Sequence, residues 1–347
     1  MRILLDIGHP KDVNVFKNVV LSLQNKGHIV KIFVRAKEST KRMLDDLGFQ
    51  YETCPYYQSM LGKAFGIFAN DLRLYRIARK FQPDIFVSPG SPYSAQVSSL
   101  MRKPHLAFSD TEIAGLVTML TLPFTDKIYT STSFYLDLGP KQERFKGYYE
   151  LAYLHPQYFK PDRGVLEKYG LEEDYILLRL SALGSHHDLH ATGFNFETED
   201  ELKQFISVLE QYGRIVVSSE KSDWKTIEDY QLDLDPDDLH DIIYHASLCI
   251  SEGATMASEA AVLGVPSIYV SNTERGYLNE LEKKYGLVYT LSDRNEALQL
   301  AIGLLRDTNV KEKWKSKRDI MLNDVEDVVG FIVERTEMYL NNSNINK

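Results

Sequence analysis

Short apolar runs alternate with segments of helical period from the first residue onward, which is the sequence form of parallel β-α-β units. Residues 2–8 read as a strand. Val15, Phe16, Val19, Val20 and Leu23 then place an apolar stripe on a helix over 13–26, with Gly27 positioned to end it. Strand 29–34, helix 40–47 stopped at Gly48, strand 49–52, helix 71–81 and strand 84–88 continue the pattern, and 105–109 and 127–130 supply two more strands. Together they predict one doubly wound domain. Between 148 and 162 the pattern loosens into aromatic sequence around Pro156 and Pro161, unsuited to a central strand, and the domain boundary is placed there. Alternation restarts with strand 175–180, helix 199–211 and strand 214–218, then helix 239–245, strand 248–251, helix 256–263 and strand 267–270. These predict a second domain of the same class. Val325, Val328, Val329, Ile332 and Val333 recur at helical spacing over 324–339, and the polar tail after Tyr339 is expected to be disordered.

A chain of 347 residues exceeds what one hydrophobic core usually supports, in agreement with two domains. Its 44% apolar and 26% charged content excludes a disordered or fibrous protein. The opening run is broken by Asp6 and Gly8, too soon for a signal peptide, and no stretch approaches the ~18 uninterrupted apolar residues of a transmembrane helix. Cys54 and Cys249 lie far apart and read as buried thiols, so the cytoplasm is the expected compartment. The net charge of −9 is uneven: residues 1–150 carry 20 Lys and Arg against 14 Asp and Glu, and residues 151–347 carry 20 against 35. That asymmetry fits a first domain facing an anionic surface or acceptor, or simply solvated faces of different composition. The acidic balance and the absence of a recognition motif argue against nucleic-acid binding.

The most informative segment is 248–266, where an apolar strand runs through Ser251-Glu252-Gly253 into a helix that ends at Gly264-Val265-Pro266. Such a turn lets phosphate oxygens approach the free N–H groups at the positive end of a helix, and Gly253 and Ala254 leave the approach unobstructed. Glu259 falls a little over one turn in, where a carboxylate can accept hydrogen bonds from ribose hydroxyls. The competing reading is a strand-turn-helix whose small residues only serve close packing.

Other polar residues fall at predicted strand ends, where open α/β sheets place ligands. Gly8-His9-Pro10 follows the first strand; a neutral imidazole there can take a hydroxyl proton, or it can cap the next helix. Asp110 and Glu112 follow strand 105–109 and can act as acid or base if a pKa is raised, or Asp110 can serve as an N-cap. His186, His187 and His190 with Asp188 invite a metal, but a compact tetrahedral site draws its ligands from separated elements, so no metal is expected. Residues 56–68 form an aromatic, apolar run before the basic helix of Arg73, Arg76 and Arg79, and read either as a peripheral membrane contact or as ordinary packing.

Residues 251–266 resemble the nucleotide-binding segment of GT-B-fold enzymes: the glycosyltransferase that adds N-acetylglucosamine to the lipid-linked peptidoglycan precursor, and the UDP-N-acetylglucosamine 2-epimerases. More closely, the chain resembles an archaeal and bacterial family of GT-B-like proteins classed as a domain of unknown function. The signatures are Asp6-Ile7-Gly8-His9-Pro10, Gly90-Ser91-Pro92-Tyr93, Asp110-Thr111-Glu112, residues 146–156, Ser218-Ser219-Glu220-Lys221 and residues 252–259, spread over nearly the whole chain. The resemblance implies two Rossmann-like domains, 1–155 and 156–323, facing a cleft, with a terminal helix over 324–347 crossing back to the first. It implies a glycosyltransferase-like enzyme with a nucleotide-sugar donor, UDP-linked, as substrate and no separate cofactor, acting on a glycan or lipid-linked acceptor. Gly253, Ala254, Thr255, Glu259, Ser219, His186 and His187 would then hold the donor. His9, Asp110 and Glu112 would carry the chemistry, and Gly8, Gly90 and Ser91 would face the acceptor. Gly90 is followed by Ser91 where the 2-epimerases have a carboxylate, so an epimerase or hydrolase, or a non-catalytic sugar-nucleotide-binding protein, is the alternative.

Overall fold

A computed structural model describes residues 1–35, 38–54, 60–110, 112, 115–181, 193–219 and 224–345, with the side chains of 60–68, 226 and 340–345 outside the description. The chain divides into two compact units, Met1–Tyr153 with Glu326–Lys347, and Leu154–Val325.

Seven parallel strands form the first sheet: β1 (Arg2–Ile7), β2 (Ile29–Arg35), β3 (Tyr51–Cys54), β4 (Ile85–Ser88), β5 (His105–Phe108), β6 (Lys127–Ser131) and β7 (Gln142–Phe145). Their order is β3-β2-β1-β4-β5-β6-β7, with Ile3 opposite Val30 on one side and Ile85 on the other. The chain winds one way from β1 to β3 and then restarts beside β1, which makes the carboxyl end of the β1/β4 pair the topological switch point. Strands buried on both faces are largely apolar, as in β4 and in Ile3–Ile7 of β1, where Ser88 and Asp6 are the polar exceptions. The helix Pro10–Asn25 buries Val13, Val15, Phe16, Val19, Val20 and Leu23, and Gly27 follows it at φ 83°.

The second unit holds five parallel strands: β8 (Ile176–Leu180), β9 (Ile215–Ser219), β10 (Leu248–Ser251), β11 (Ser267–Val270) and β12 (Val288–Leu291), in the order β12-β11-β10-β8-β9. Its switch point lies between β8 and β10. The helix Ala254–Leu263 buries every residue from Met256 onward and stops at Gly264, whose φ of 80° is the left-handed cap.

The terminal helix Val328–Ile345 belongs to the first unit, where Phe331 meets the rings of Tyr129 and Phe145 at 5.5 and 5.1 Å. It runs past Tyr339, so the expected disordered tail is replaced by helix as far as Ile345; no proline or glycine interrupts that stretch. Residues 60–81 form one helix, longer than the 71–81 expected, and residues 55–59 lie outside the described ones. Cys54 and Cys249 are free and buried.

Candidate functional site

In the second unit the switch-point edge is built around Glu252. The residue is 4% exposed, yet its carboxylate is fully used: Oε2 accepts from the Ser181 N–H at 2.8 Å and Oε1 from the Phe194 N–H at 2.9 Å. One side chain just past β10 therefore holds the main chain of Ser181, next after β8, and that of Phe194. A Cβ on Gly193 would stand 2.2 Å from Oε1, so that position is held to glycine. With its charge satisfied in this way, Glu252 does not compete for the next element. The Ser251 hydroxyl donates to the Gly253 carbonyl and accepts from the Gly253 N–H, both at 2.9 Å, and folds the turn. Gly253 is the N-cap of Ala254–Leu263 and provides no side-chain cap, which leaves the N–H groups of the first turn, through Ala254 and Thr255, for an incoming anion.

Arg179 of β8 supplies positive charge at the same edge. Its Cγ lies 4.0 Å from where a Gly253 Cβ would be, and its Nη1 donates to Ser218 Oγ at 2.8 Å. Ser219 closes β9 opposite Leu180. Glu259 sits deeper, 5% exposed, with Oε1 3.2 Å from His240 Nε2. Sequence reasoning assigned neither Glu252 nor Arg179. For Glu252 a signal existed: a buried carboxylate between a central strand and a helix start is tolerable only if something engages it.

In the first unit, His9 caps the helix Pro10–Asn25. Its Nδ1 accepts from the Lys11 N–H at 3.3 Å, while Asp12 Oδ2 returns the bond to the Gly8 and His9 N–H groups at 2.9 and 2.8 Å, closing a capping box. Accepting at Nδ1 places the proton of a neutral ring on Nε2. Lys11 reaches Asp110 at 2.5 Å and the buried Glu150 at 3.1 Å, so the 146–156 signature contributes a carboxylate to this edge and Asp110 is an ion-pair partner.

Gly8 has a second role: a Cβ there would fall 1.6 Å from Arg35 Nη2, so the missing side chain is the space the guanidinium occupies. Arg35 also lies 3.4 Å from Ser91 Oγ, 5.4 Å from the Tyr93 ring centre and 3.7 Å from Asp6. Asp6 is fully buried, and burial pushes its carboxyl pKa up against the pull of Arg35 and of the Ser91 hydroxyl. The turn after β4 is fixed by Ser88 Oγ, which accepts from the Gly90 and Ser91 N–H groups at 3.2 and 2.9 Å and so donates its own proton to His105 Nε2 at 2.9 Å. His105 Nδ1–H then faces Thr125 Oγ1.

The fold thus gathers Gly8, His9, Gly90, Ser91 and Asp110 at the carboxyl ends of β1, β4 and β5. Glu112, which follows β5, is 5% exposed and accepts from the Tyr135 N–H at 3.4 Å. Gly253, Ala254 and Thr255 share one helix end, with Ser219 on the same sheet edge. His186 and His187 lie outside the described residues. Among the described residues no cluster of three or more His, Cys, Asp or Glu is placed to hold a metal ion.

Burial drives the pKa of His105 down to about 3, and this has a measurable consequence. The unfolded chain binds a proton near pH 6.5 that the folded chain refuses, so the contribution of His105 is present above that pH and is lost as pH falls. Asp12 and Asp71, raised by burial to about 6 and about 7, act oppositely in the same window. Their effects cancel in a difference between variants. The stability difference between wild type and His105→Gln, followed by calorimetry, is expected to shrink by about 2 kcal/mol from pH 7.5 to 5. A pH-independent difference rules out a neutral buried His105.

Two parallel-sheet units, each with its polar residues at the carboxyl edge of a switch point, define a GT-B-class α/β protein. The chain belongs to the family described as protein of unknown function (DUF354), whose model matches residues 1–341. No curated protein matches it. Among solved structures, a putative UDP-N-acetylglucosamine 2-epimerase from Listeria monocytogenes is 12% identical with a TM-score of 0.73, covering 96% of this chain and 94% of its own. The UDP-GlcNAc 2-epimerase from Neisseria meningitidis bound to UDP-GlcNAc is 12% identical with a TM-score of 0.72, over 97% of this chain and 100% of its own. The spinosyn rhamnosyltransferase SpnG complexed with spinosyn aglycone is 12% identical with a TM-score of 0.63, over 97% and 100%. At such identities the likeness is one of fold.

Proposed function

We propose that this chain is a glycosyltransferase-like enzyme that takes a sugar from a nucleotide-sugar donor, UDP-linked, to a glycan or lipid-linked acceptor. The observation that carries the reading is the uncapped N-terminus of Ala254–Leu263 at the switch point of the second sheet, with its neighbouring carboxylate tied away and Arg179 beside it. The diphosphate takes the N–H groups of Ala254 and Thr255, Arg179 balances its charge, Ser219 lines the edge, and Glu259 receives the ribose. His186 and His187 are assigned from the sequence as donors to the leaving group. Leaving-group charge is met by protein donors, so the reading assigns no metal and no further cofactor.

The acceptor side is the first unit, with His9 as base and Asp110 and Glu112 as the carboxylates that follow β5. Acting as a base at Nε2 requires His9 to give up its Nδ1 cap, a long bond worth about 1 kcal/mol. General base catalysis contributes roughly 10²–10⁴-fold, about 3–5 kcal/mol, so the cap does not forbid the role. Epimerisation is the less favoured chemistry, because Gly90 is followed by Ser91 rather than a carboxylate.

The test is a labelled UDP-sugar offered with a panel of acceptors, with products separated and free epimer sought by NMR. Labelled conjugate is the expected product. His9→Ala is expected to lower transfer by roughly 10²–10⁴-fold with donor affinity unchanged. Epimer without conjugate, or binding without turnover, overturns the transferase reading.

A further inference from the structure

The helix Gly115–Thr121 is built inside out. Its sequence is largely apolar, yet its one buried residue is Thr121, whose hydroxyl faces the Gly90 and Val117 carbonyls at 3.1 and 2.8 Å. Leu116 and Met119 are 71% and 73% exposed, with Val117 exposed beside them. A helix on the surface of a globular unit ordinarily does the reverse. The apolar surface extends to the adjoining elements: Phe124, in the turn Leu122–Phe124, and Leu100, at the end of the helix Pro92–Leu100, are both exposed, and both elements pack beside Gly115–Thr121. Apolar side chains grouped in this way mark an interaction surface, where scattered ones do not.

The border of this face is cationic. Arg102 and Lys103 follow Leu100 almost at once, and Lys141 Nζ donates to the Leu122 and Pro123 carbonyls at 2.8 and 3.1 Å. Among the described residues none of the three has a carboxylate partner. Of the carboxylates near them in sequence, Glu143 pairs with Lys127 at 2.6 Å, Asp126 accepts from the His105 N–H at 2.8 Å, and Asp137 accepts from the Gly139 N–H at 2.8 Å.

We propose that this face of the first unit docks on the surface of an anionic lipid bilayer, with Leu116, Met119 and Phe124 at the acyl boundary and Arg102, Lys103 and Lys141 among the headgroup phosphates. Apolar residues within a basic rim match that interface in both composition and sign. A second copy of the chain fits less well, because a two-fold contact through this face sets the two basic rims against each other. The contact is peripheral, since among the described residues no helix is long and apolar enough to cross a membrane.

The test is co-sedimentation of the full chain with vesicles of phosphatidylcholine alone or mixed with phosphatidylglycerol, which reads lipid binding whatever the second unit binds. Binding to mixed vesicles, weakened by salt, is expected. The double variant Leu116→Glu with Met119→Glu is expected to lose about tenfold or more in partitioning, with its circular dichroism unchanged because both side chains are solvent-exposed. Lys103→Glu is expected to reduce the preference for anionic vesicles. Failure of the wild type to bind mixed vesicles, or equal binding by the double variant, overturns the proposal. So does a dimer in sedimentation equilibrium that the same double variant dissociates.

Discussion

Gly253→Asp is expected to abolish UDP binding while leaving the second unit folded. An ideal Cβ at this position meets Ser181 Oγ and Ser251 Oγ at 3.5 Å, ordinary contact, and the backbone φ of −92° suits any residue. Aspartate is a preferred N-cap, so the new carboxylate accepts from the N–H groups of the first turn and stabilises the helix. Those are the donors assigned to the diphosphate. The variant also sets a negative charge about 4 Å from the phosphate, where like charges repel by about 4 kcal/mol at an effective dielectric of 20, near a thousandfold in affinity. Gly253→Ala adds neither charge nor cap and is expected to keep most of the binding. Calorimetry supplies the affinities. Folding is checked by fluorescence, because the protein's two tryptophans, Trp224 and Trp314, both belong to the second unit. Unchanged affinity in a folded Gly253→Asp protein moves the nucleotide elsewhere.

Glu252→Ala is expected to lower the stability of the second unit by about 3 kcal/mol or more. It removes two hydrogen bonds to a charged acceptor and leaves the Ser181 and Phe194 N–H groups without partners. Glu252→Gln, conservative in shape, is expected to cost nearly as much, since its amide offers one acceptor oxygen and turns an N–H₂ donor toward the second N–H. Urea unfolding followed by tryptophan emission measures both. Near-wild-type stability of the glutamine variant excludes the double clamp.

Much of the sheet framework was legible in the sequence where strands are central. Leu239–His245, β10 and β11 fall at the bounds expected from their patterns, because a strand covered on both faces is an unbroken apolar run. The strands that escaped notice, β7 and β12, close the edges of their sheets, and Gln142-Glu143-Arg144-Phe145 shows how little apolar sequence an edge requires. β3, also an edge, lies at Tyr51–Cys54 instead of 49–52. Pro92–Leu100 was hidden by its serines, of which Ser94 and Ser98 are buried and Ser98 donates to the Ala95 carbonyl. The strand-turn-helix at 248–264 was readable because strand, glycine and helix are contiguous. Glu252 meets partners 71 and 58 residues away, and Arg35 meets Ser91 at a separation of 56, and contacts of that range leave no local pattern.

The Glu252 clamp grips two main-chain N–H groups and excludes a Cβ at residue 193. Ser181 and Phe194 are therefore both fixed beside the end of β10 through their main chain, whatever side chain either position carries. Among replacements at those two positions proline is the one that breaks the grip, because it has no N–H to give, while any side chain at residue 193 breaks it from the carboxylate's side.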